Sequence, residues 1–273
     1  IPINRQAFSY VYQQIYLAVD KLIRDIPPCP YGLIGISLAV RGIIDLDGVI
    51  RFIPRLQWHN IDIKSLLEQR YHVPVYIDND GNLAASMESR LHPQYGELTV
   101  LCITDVISCG MISNGQLIRG YLGFANAVGH HTINIQETKQ CSCGKFGCWE
   151  QYCSDQYLID EMNLHLETPL EDIDGFIELV RKQNPTALGI LDTYIRNLAI
   201  GLSNIIFFVN CEMIILNSHL IQSLPYLMPE IMKDIVLPIT HTQEILISTL
   251  GNEAPILGAS LKAIEEFFEI LSA

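Results

Sequence analysis

Residues 129–150 read GHHTINIQETKQCSCGKFGCWE, and this segment organises the rest of the chain. It places one histidine eleven residues before the first of three clustered cysteines: His130, Cys141, Cys143 and Cys148. Three thiolates and one imidazole form a donor set that tetrahedral Zn²⁺ prefers. The glycines at positions 144 and 147 allow a tight turn around an ion. The pattern therefore predicts a zinc site within a loop.

Several features of this segment leave the ligand set open. His131 is an alternative to His130 as the nitrogen ligand, and Cys153 lies close enough in sequence to compete as a sulfur ligand. A disulfide, or a group of unmodified structural thiols, is the alternative to a metal. Because Cys-x-Cys closes a strained ring, the clustering favours an ion. Four protein ligands leave no open coordination position, so we expect the zinc to be structural and to fix a loop.

The composition is that of a globular, acidic protein. The chain has 273 residues, of which 49% are apolar and 17% charged, and this is enough for a sizeable core, most naturally in two subdomains. Seventeen basic and thirty acidic residues give a formal net charge of −13. No cluster of Lys and Arg resembles a surface that tracks phosphates, so we do not expect this segment alone to bind nucleic acid.

The cysteines and the hydropathy pattern favour a cytoplasmic protein. Four of the eight cysteines fall between Cys141 and Cys153, and the others stand in apolar surroundings, which is typical of thiols and a metal site rather than of a disulfide framework. The most apolar segment, 205–209, is far too short to cross a bilayer, so no membrane insertion is expected. Since the chain begins at Ile1 without a methionine, we expect a fragment of a longer protein.

Hydrophobic periodicity predicts an α/β protein with two lobes. The predicted helices cover 8–22, a short segment opening at 60–62, 83–90, 157–164, 173–180, 187–206, 220–235 with breaks at Pro225 and Pro229, and 255–271. The predicted strands cover 33–40, 74–77, 98–103, 107–112, 116–118, 213–216 and 245–248, with a hairpin turn at Asp47-Gly48. The almost wholly apolar segment 33–40 is typical of a strand covered on both faces.

The polar segment 78–82 follows a predicted strand at its carboxyl end, where α/β folds place ligands. Asp80 suits a general base, because a carboxylate in this position can accept a proton from a hydroxyl. Asn79 and Asp80 are equally the residue types that cap a helix, and the residues alone do not separate the two roles. Glu150, taken by itself, is of a type most often found on the solvated surface.

The order of these motifs resembles the ROK family of repressors, open reading frames and sugar kinases over nearly the whole chain. The matching residues are Gly35-Ile36, Gly42 to Asp45, Pro54, Trp58, Pro74-Val75, 79–82, Gly120, Gly123, Gly129-His130, the cysteine motif 141–150, Ser154 and Gly258-Ala259. The resemblance implies a two-lobed actin-like, sugar-kinase-like (ribonuclease H-like) fold, usually dimeric, with the sugar in the cleft between the lobes. We expect one lobe over 1–92, a second over 93–256 with the zinc segment 129–153, and a helix 257–273 that packs back on the first.

The resemblance also implies roles for individual residues. Sugar hydroxyls would face Asn79, Asp80, His130 and Glu150, and zinc would be held by His130, Cys141, Cys143 and Cys148. Asp80 stands at the position of the kinases' catalytic base.

Three elements of the family's nucleotide site are substituted or missing: the first two are substitutions that argue against nucleotide binding, and truncation of the chain explains the third equally well. Family kinases have a glycine-rich, phosphate-contacting turn where this chain has residues 105–110, and of that set Gly110 alone remains. Backbone that approaches a polyphosphate needs residues without Cβ, and the carboxylate of Asp105 would repel phosphates. Asn217-Ser218 replaces a pair of glycines beside the nucleotide, and the Asp-x-Gly-x-Thr hairpin expected before the first helix is absent from this sequence. ATP and Mg²⁺ are therefore not expected.

The sugar side of the predicted cleft also departs from the family. Ala127 stands where the family has glutamate, next to Asn126 in place of glycine, and Arg41 stands where proline usually precedes Gly42. A sugar hydroxyl left unpaired costs about 1–3 kcal/mol, so we expect weakened sugar binding.

We therefore expect the carbohydrate-sensing, dimerising domain of a ROK-type transcriptional regulator, most of all a repressor of carbohydrate genes. DNA would be bound only by an upstream winged helix-turn-helix that is not included here. Two alternatives stay open. One is an ATP-dependent hexose kinase, favoured by Asp80. The other is a regulator controlled by a protein partner from a sugar-transport system, favoured by Ala127 and Arg41.

Overall fold

The structure is a computed structural model that describes residues 7–235 and 244–272. These residues form a mixed α/β architecture. The helices are α1 Phe8–Asp25, α2 Ile63–Tyr71, α3 Asp80–Leu91, α4 Glu150–Cys153, α5 Asp155–Asn163, α6 Ile173–Arg181, α7 Pro185–Val209, α8 His219–Ser223, α9 Leu227–Asp234 and α10 Ala254–Ser272. The strands are β1 Ile36–Val40, β2 Ile43–Ile44, β3 Ile50–Ile53, β4 Trp58–Ile61, β5 Val75–Asn79, β6 Leu98–Ile103, β7 Ile107–Ser113, β8 Gln116–Leu117, β9 Met213–Ser218 and β10 Glu244–Ile247.

Residues up to Leu91, which we call the first half, contain a parallel strand pair and a small antiparallel sheet, and we call the residues from Leu98 onward the second half. β1 runs parallel to β5, with Ile36 opposite Val75. β2, β3 and β4 form the antiparallel sheet, and the predicted hairpin between β2 and β3 is confirmed. Gly48 in that turn has a φ of +83°, which a residue without Cβ adopts at little cost. α1 contributes the buried residues Val11 and Val19 to the same apolar core.

The second half is organised on a five-stranded sheet in the order β10-β9-β6-β7-β8. β6 is parallel to β9 and antiparallel to β7, and every residue of β6 and β9 is buried. Such apolar runs are typical of strands that are covered on both faces. α7 has 25 residues, and its buried face, which includes Leu191, Leu198 and Leu202, lies in the main apolar core of this half.

α10 packs back against elements of the first half. It contacts α3, β1 and β5. The approach to α3 is close, because a Cβ added at Gly258 would lie 1.9 Å from the carbonyl oxygen of Leu83. Ala273, the last residue of the predicted helix 257–273, lies outside the described residues. The division into lobes at residue 92 stays a prediction.

Several element predictions need correction. The predicted break at Pro225 in segment 220–235 is confirmed, since α8 ends at Ser223 and α9 begins at Leu227, but the predicted break at Pro229 is wrong. Pro225 lies between the two helices, whereas Pro229 lies in the first turn of α9, where a missing N–H costs little. The first strand begins at Ile36 rather than at residue 33, and most of it is half-buried instead of covered on both faces.

Two short elements were missed. β4 reads Trp-His-Asn-Ile, which lacks a clear alternation of apolar and polar residues, and α4 has only four residues. Among the described residues, no helix combines the length and the apolar character that a bilayer span requires.

Candidate functional site

A cleft of about 1940 Å³ receives side chains from both halves of the chain. Its polar walls include all the residues predicted to face a sugar, together with three other charged residues: Asn79, Asp80, His130, Glu150, Arg41, Arg55 and Asp105. The first half supplies the side chains that follow β1, β3 and β5. The second half supplies the turn between β6 and β7 and the segment that carries the cysteines.

Asn79 and Asp80 have separate roles at the junction of β5 and α3. The side-chain oxygen of Asn79 accepts hydrogen bonds from the backbone N–H groups of Gly81 at 2.9 Å and Asn82 at 3.3 Å, so Asn79 is the helix cap. Its amide donates to the carbonyl of Gly42 at 3.0 Å. The N–H of Gly81 also lies 3.0 Å from Oδ1 of Asp80, whereas the N–H of Asn82 is bonded to Asn79.

Asp80 is a buried carboxylate that lies beside a single arginine. Its side chain is 6% exposed, and Oδ2 lies 3.5 Å from Nε of Arg41. Burial raises the pKa of Asp80, and the positive charge of Arg41 opposes that shift. Chemically, such a carboxylate can accept a hydrogen bond or a proton from a hydroxyl in the cleft.

Glu150 lies on the opposite wall, where it begins α4. It is half-buried, in contrast to the solvated surface position that the residue type alone suggested. Oε2 accepts a hydrogen bond from the backbone N–H of Ile107 at 3.3 Å, and Oε1 lies 3.9 Å from Sγ of Cys141. Burial raises the pKa of Glu150 to about 7, and the bond from Ile107 opposes that shift.

The cysteine segment gathers four potential metal ligands. The donor atoms of His130, Cys141, Cys143 and Cys148 all lie within 4.8 Å of one another. Nδ1 of His130 is 3.7 Å from Sγ of Cys141, and the sulfurs of Cys143 and Cys148 are also 3.7 Å apart. One imidazole and three thiols at these distances could hold a metal ion.

The structure brings neither alternative ligand to this group. The ring of His131 stacks on Trp149, with 5.2 Å between the ring centroids. Cys153 is fully buried, and its thiol donates to the carbonyl of Tyr194 at 3.7 Å. All eight cysteines are free thiols, so the alternative of a disulfide is not seen.

The loop that carries the thiols depends on its two glycines. Cys141 donates its N–H to the carbonyl of Lys145 at 2.8 Å, which closes a turn containing Gly144 at a φ of +89°. Gly147 has a φ of +68°, and a Cβ there would lie 1.7 Å from the carbonyl oxygen of Asn134. The loop is anchored by the fully buried Trp149, which was not predicted and whose indole N–H donates to the carbonyl of Asn197 at 3.0 Å.

Gly110, which the sequence analysis noted as a remnant of a phosphate turn, has a packing role. A Cβ at Gly110 would lie 2.2 Å from the carbonyl oxygen of Gly81 and 2.6 Å from Cβ of Ala85. The glycine thus allows β7 to lie directly against α3. The close packing of β7 on α3 therefore explains the glycine at position 110, and no role in phosphate binding is needed.

Asn217 and Ser218, at the end of β9, are built into the protein interior. Asn217 is 4% exposed, and its amide donates to the carbonyl of Gly251 at 2.7 Å. Ser218 is 1% exposed and caps α8, where its hydroxyl accepts from the N–H of Ile221 at 3.4 Å. The space that a pair of glycines would leave is therefore filled by bonded side chains.

The side chain of Asp105 binds two arginines, and this relationship was not predicted. Oδ1 is paired with Arg41 and Oδ2 with Arg55. Arg55 was missed because a single arginine in a loop carries no recognisable pattern. Ala127, by contrast, lies exposed on the cleft wall as expected, and offers a sugar no polar group.

Comparison with known proteins gives relatives of two kinds. The family model described as the ROK family matches residues 5–266. The xylose repressor of Bacillus spizizenii is 35% identical over 259 residues, which cover 93% of this chain and 67% of the repressor. A glucokinase of Halalkalibacterium halodurans is 28% identical over 279 residues, which cover 94% of this chain and 84% of the kinase.

Solved structures of both kinds share the fold. A ROK family glucokinase from Streptomyces griseus, in complex with glucose and AMPPNP, superposes with a TM-score of 0.83 at 22% identity and covers 95% of this chain and 89% of its own. A ROK family transcriptional regulator, a homolog of the E. coli MLC protein, gives a TM-score of 0.76 at 20% identity, with 95% and 68% coverage. The predicted two-lobed, sugar-kinase-like fold is confirmed, and the chain belongs to the ROK family.

Proposed function

We propose that this chain is the carbohydrate-sensing domain of a ROK-type transcriptional regulator and that it does not transfer phosphate. The proposal rests on the residues and ion pairs of the turn between β6 and β7. There the carboxylate of Asp105, paired with Arg41 and Arg55, stands where family kinases have a glycine-rich turn. The cleft is also lined by the carboxylates of Asp80 and Glu150, which can accept hydrogen bonds from sugar hydroxyls. The xylose repressors among the relatives support a regulator of this class.

Side chains that are already paired and close packing oppose a nucleotide in this cleft. A polyphosphate near the turn would meet the carboxylate of Asp105 and would have to break its two ion pairs. The backbone of Gly110 is packed against α3, and the side-chain amide of Asn217 donates a hydrogen bond to the carbonyl of Gly251. The side chains of Asp105 and Asn217 and the backbone at Gly110 would have to move from these positions before phosphates could enter.

The two walls together offer the groups that a neutral sugar needs. Asp80 and Glu150 present carboxylate oxygens that can accept hydrogen bonds from hydroxyls. His130 turns Nδ1 toward Cys141, so its second ring nitrogen remains available to the cleft. The single imidazole can thus serve both predicted roles, as a metal ligand and as a sugar contact.

We infer that the metal is zinc and that its role is structural. A Zn–S bond of about 2.3 Å places two sulfurs of a tetrahedral site about 3.8 Å apart. The sulfurs of Cys143 and Cys148 are 3.7 Å apart, which supports this assignment. Four protein ligands leave no coordination position for a substrate. Zinc would instead fix the loop that brings His130 and Glu150 to the cleft.

The rest of the proposed regulator follows from the family and remains a proposal. DNA would be bound by a separate domain, and the sensing domain would act as a cytoplasmic homodimer with lobes at 1–92 and 93–256. A sugar that binds one arrangement of the lobes more tightly would bias that arrangement and so change the spacing of the two DNA-binding domains.

The proposal is tested by thermal unfolding with a panel of D-xylose, D-glucose, glucose 6-phosphate and ATP with Mg²⁺. We expect at least one sugar to raise the melting temperature and ATP to have no effect. Asp192→Asn, which removes an exposed carboxylate on α7, serves as a control that keeps any sugar response. A chain that responds to none of the sugars would contradict the proposal.

Kinase activity is the second candidate, and one observation favours it. Asp80 keeps the position of a catalytic base at the start of α3, and a glucokinase is among the relatives. A coupled assay for ADP release with the same sugars separates the two candidates, because a sensing domain would release none.

A further inference from the structure

The two walls of the cleft are joined by ion pairs that share one carboxylate. Asp105 lies in the turn between β6 and β7, and each of its oxygens is held by a different arginine. Arg41 directly follows β1, and Arg55 lies between β3 and β4. Both arginines therefore come from the first half of the chain, and the carboxylate comes from the second. We call these three residues the clasp.

Each arginine of the clasp makes one further contact, and the two contacts lie on different walls of the cleft. Nε of Arg41 lies 3.5 Å from Oδ2 of Asp80, so one guanidinium lies between two carboxylates. Nη2 of Arg55 donates to the side-chain oxygen of Gln156 on α5 at 3.0 Å. Asp105 thus fixes Arg41 beside Asp80, which is the residue expected to contact the sugar.

A second contact crosses the cleft close to the clasp. The side-chain amide of Gln57 donates to the carbonyl of Ser142 at 2.9 Å, and Ser142 lies between two of the metal-ligand candidates. The loop that holds Arg55 therefore contacts both the β6–β7 turn and the cysteine segment. The first half and the second half are joined along one edge of the cleft.

Charge balance makes Asp105 the critical member of the clasp. Two guanidinium groups that converge on one point repel each other unless an anion lies between them. The side chains of Arg41, Arg55 and Asp105 are 48%, 38% and 37% exposed, so each pair alone contributes little. A shared carboxylate couples the two pairs, and loss of that carboxylate removes both at once.

We propose that Asp105 is a positioning residue for carbohydrate binding, because it holds the two walls of the cleft together through Arg41 and Arg55. The inference rests on the proposed function of the cleft as a carbohydrate site. A sugar between the walls binds the closed cleft, and its apparent affinity is reduced by the fraction of molecules that are open. Asp105 raises the closed fraction without contacting the sugar.

The first experiment tests the clasp without any ligand. A double-mutant cycle with Asp105→Asn, Arg55→Gln and the double variant is measured by urea unfolding at about 0.05 M and about 0.5 M NaCl. We expect the double variant to be more stable than the sum of the single effects predicts, and we expect this coupling to shrink at the higher salt concentration. Additive effects at both salt concentrations would overturn the clasp.

The second experiment measures affinity by calorimetry, with the sugar that gives the largest thermal shift. Asp105→Asn is expected to weaken binding about three- to tenfold with an unchanged number of sites. Asp192→Asn is the matched control, because it also breaks an ion pair, that of Asp192 with Arg196 on α7. We expect this variant to bind the sugar with the affinity of the wild type. Equal affinity of Asp105→Asn and the wild type would overturn the positioning role.

The two experiments separate the possible failures. If the wild type binds no sugar at all, the proposed function fails, and the positioning role fails with it, while coupling in the double-mutant cycle still shows that the clasp exists. If sugar binds and the cycle is additive, the proposed function stands and this inference alone is wrong.

Discussion

Gly201 on α7 lies directly against the indole ring of Trp149, so closely that a Cβ added at Gly201 would be 2.0 Å from Cε2 of that ring. Trp149 follows Cys148, a metal-ligand candidate, and precedes Glu150 on the cleft wall. The longest helix of the second half and the cysteine segment are thus joined at one close contact. The positions of the candidate metal ligands therefore depend on how the Trp149 ring packs against α7.

The first prediction concerns this contact. Gly201→Ala would force its methyl group into a fully buried ring, and we expect the free energy of unfolding to fall by about 1–3 kcal/mol. Gly189→Ala on the same helix is the control, because a Cβ at Gly189 has no neighbour within 4 Å. An alanine there should stabilise the helix by about 0.5–1 kcal/mol. Urea unfolding of both variants gives the comparison, and equal effects would contradict the role of the contact.

The second prediction concerns the metal. The wild-type chain should carry about one equivalent of zinc by elemental analysis. Cys143→Ser should lose that zinc together with about 3 kcal/mol or more of stability, because binding of a structural metal is coupled to folding. Cys29→Ser changes an exposed thiol outside the candidate ligand group and should affect neither quantity. Full zinc content in Cys143→Ser would show that this thiol is not a ligand.

The sequence was most informative where one residue type has one physical use. Apolar runs and turn residues located the strands of the second half, and the cysteine spacing identified a group that the structure places within 4.8 Å. The two glycines of that loop were also expected, and both have a positive φ, which favours glycine. These features are local, so they can be read from a short window of sequence.

The sequence was least informative about relationships between distant segments. The carboxylate of Asp105 and the guanidinium of Arg55 are fifty residues apart, and neither is unusual in its own surroundings. The packing of Trp149 against α7, with its hydrogen bond to Asn197, likewise joins two segments that are distant in sequence. The choice between His130 and His131 was open for the same reason, since stacking on Trp149 is a tertiary contact.

The third prediction concerns the dependence of stability on pH. Burial, together with the nearby charge of Asp105, raises the pKa of Asp155 to about 7, although His219 and Arg41 oppose the shift. Its Oδ1 has no hydrogen-bond partner within the described part of the chain. Tyr194 on α7 also lies close enough for an electrostatic interaction. Because the folded-state pKa exceeds the unfolded value of about 3.9, the native chain binds more protons between these pH values, and stability is lost as pH rises through them.

Asp155→Asn should therefore be more stable than the wild type at about pH 8, by about 1–3 kcal/mol, and this advantage should shrink toward about pH 4. Urea unfolding of both proteins across this range provides the measurement. Asp192→Asn, at an exposed position, should follow the wild-type pH curve. A variant whose advantage stays constant with pH would show that Asp155 does not titrate in this window.

The fourth prediction concerns the sugar site. Asp80→Asn keeps the size of the side chain but removes a charged acceptor, and we expect sugar affinity to fall by about tenfold. Since Asp80 is a buried carboxylate with a raised pKa, the same change should not lower stability at neutral pH. Asp20→Asn on α1, which breaks an ion pair with Arg70, is the control for loss of a carboxylate elsewhere. Unchanged affinity in Asp80→Asn would place the sugar away from this residue.

The most direct test of the account is a pair of measurements on the same wild-type preparation: calorimetric titration with D-xylose and D-glucose, and a coupled ADP assay with those sugars, ATP and Mg²⁺. We predict saturable binding of at least one sugar without nucleotide, and no sugar-dependent release of ADP. Sugar-dependent turnover at about 1 s⁻¹ or faster would contradict the account and identify the chain as a kinase.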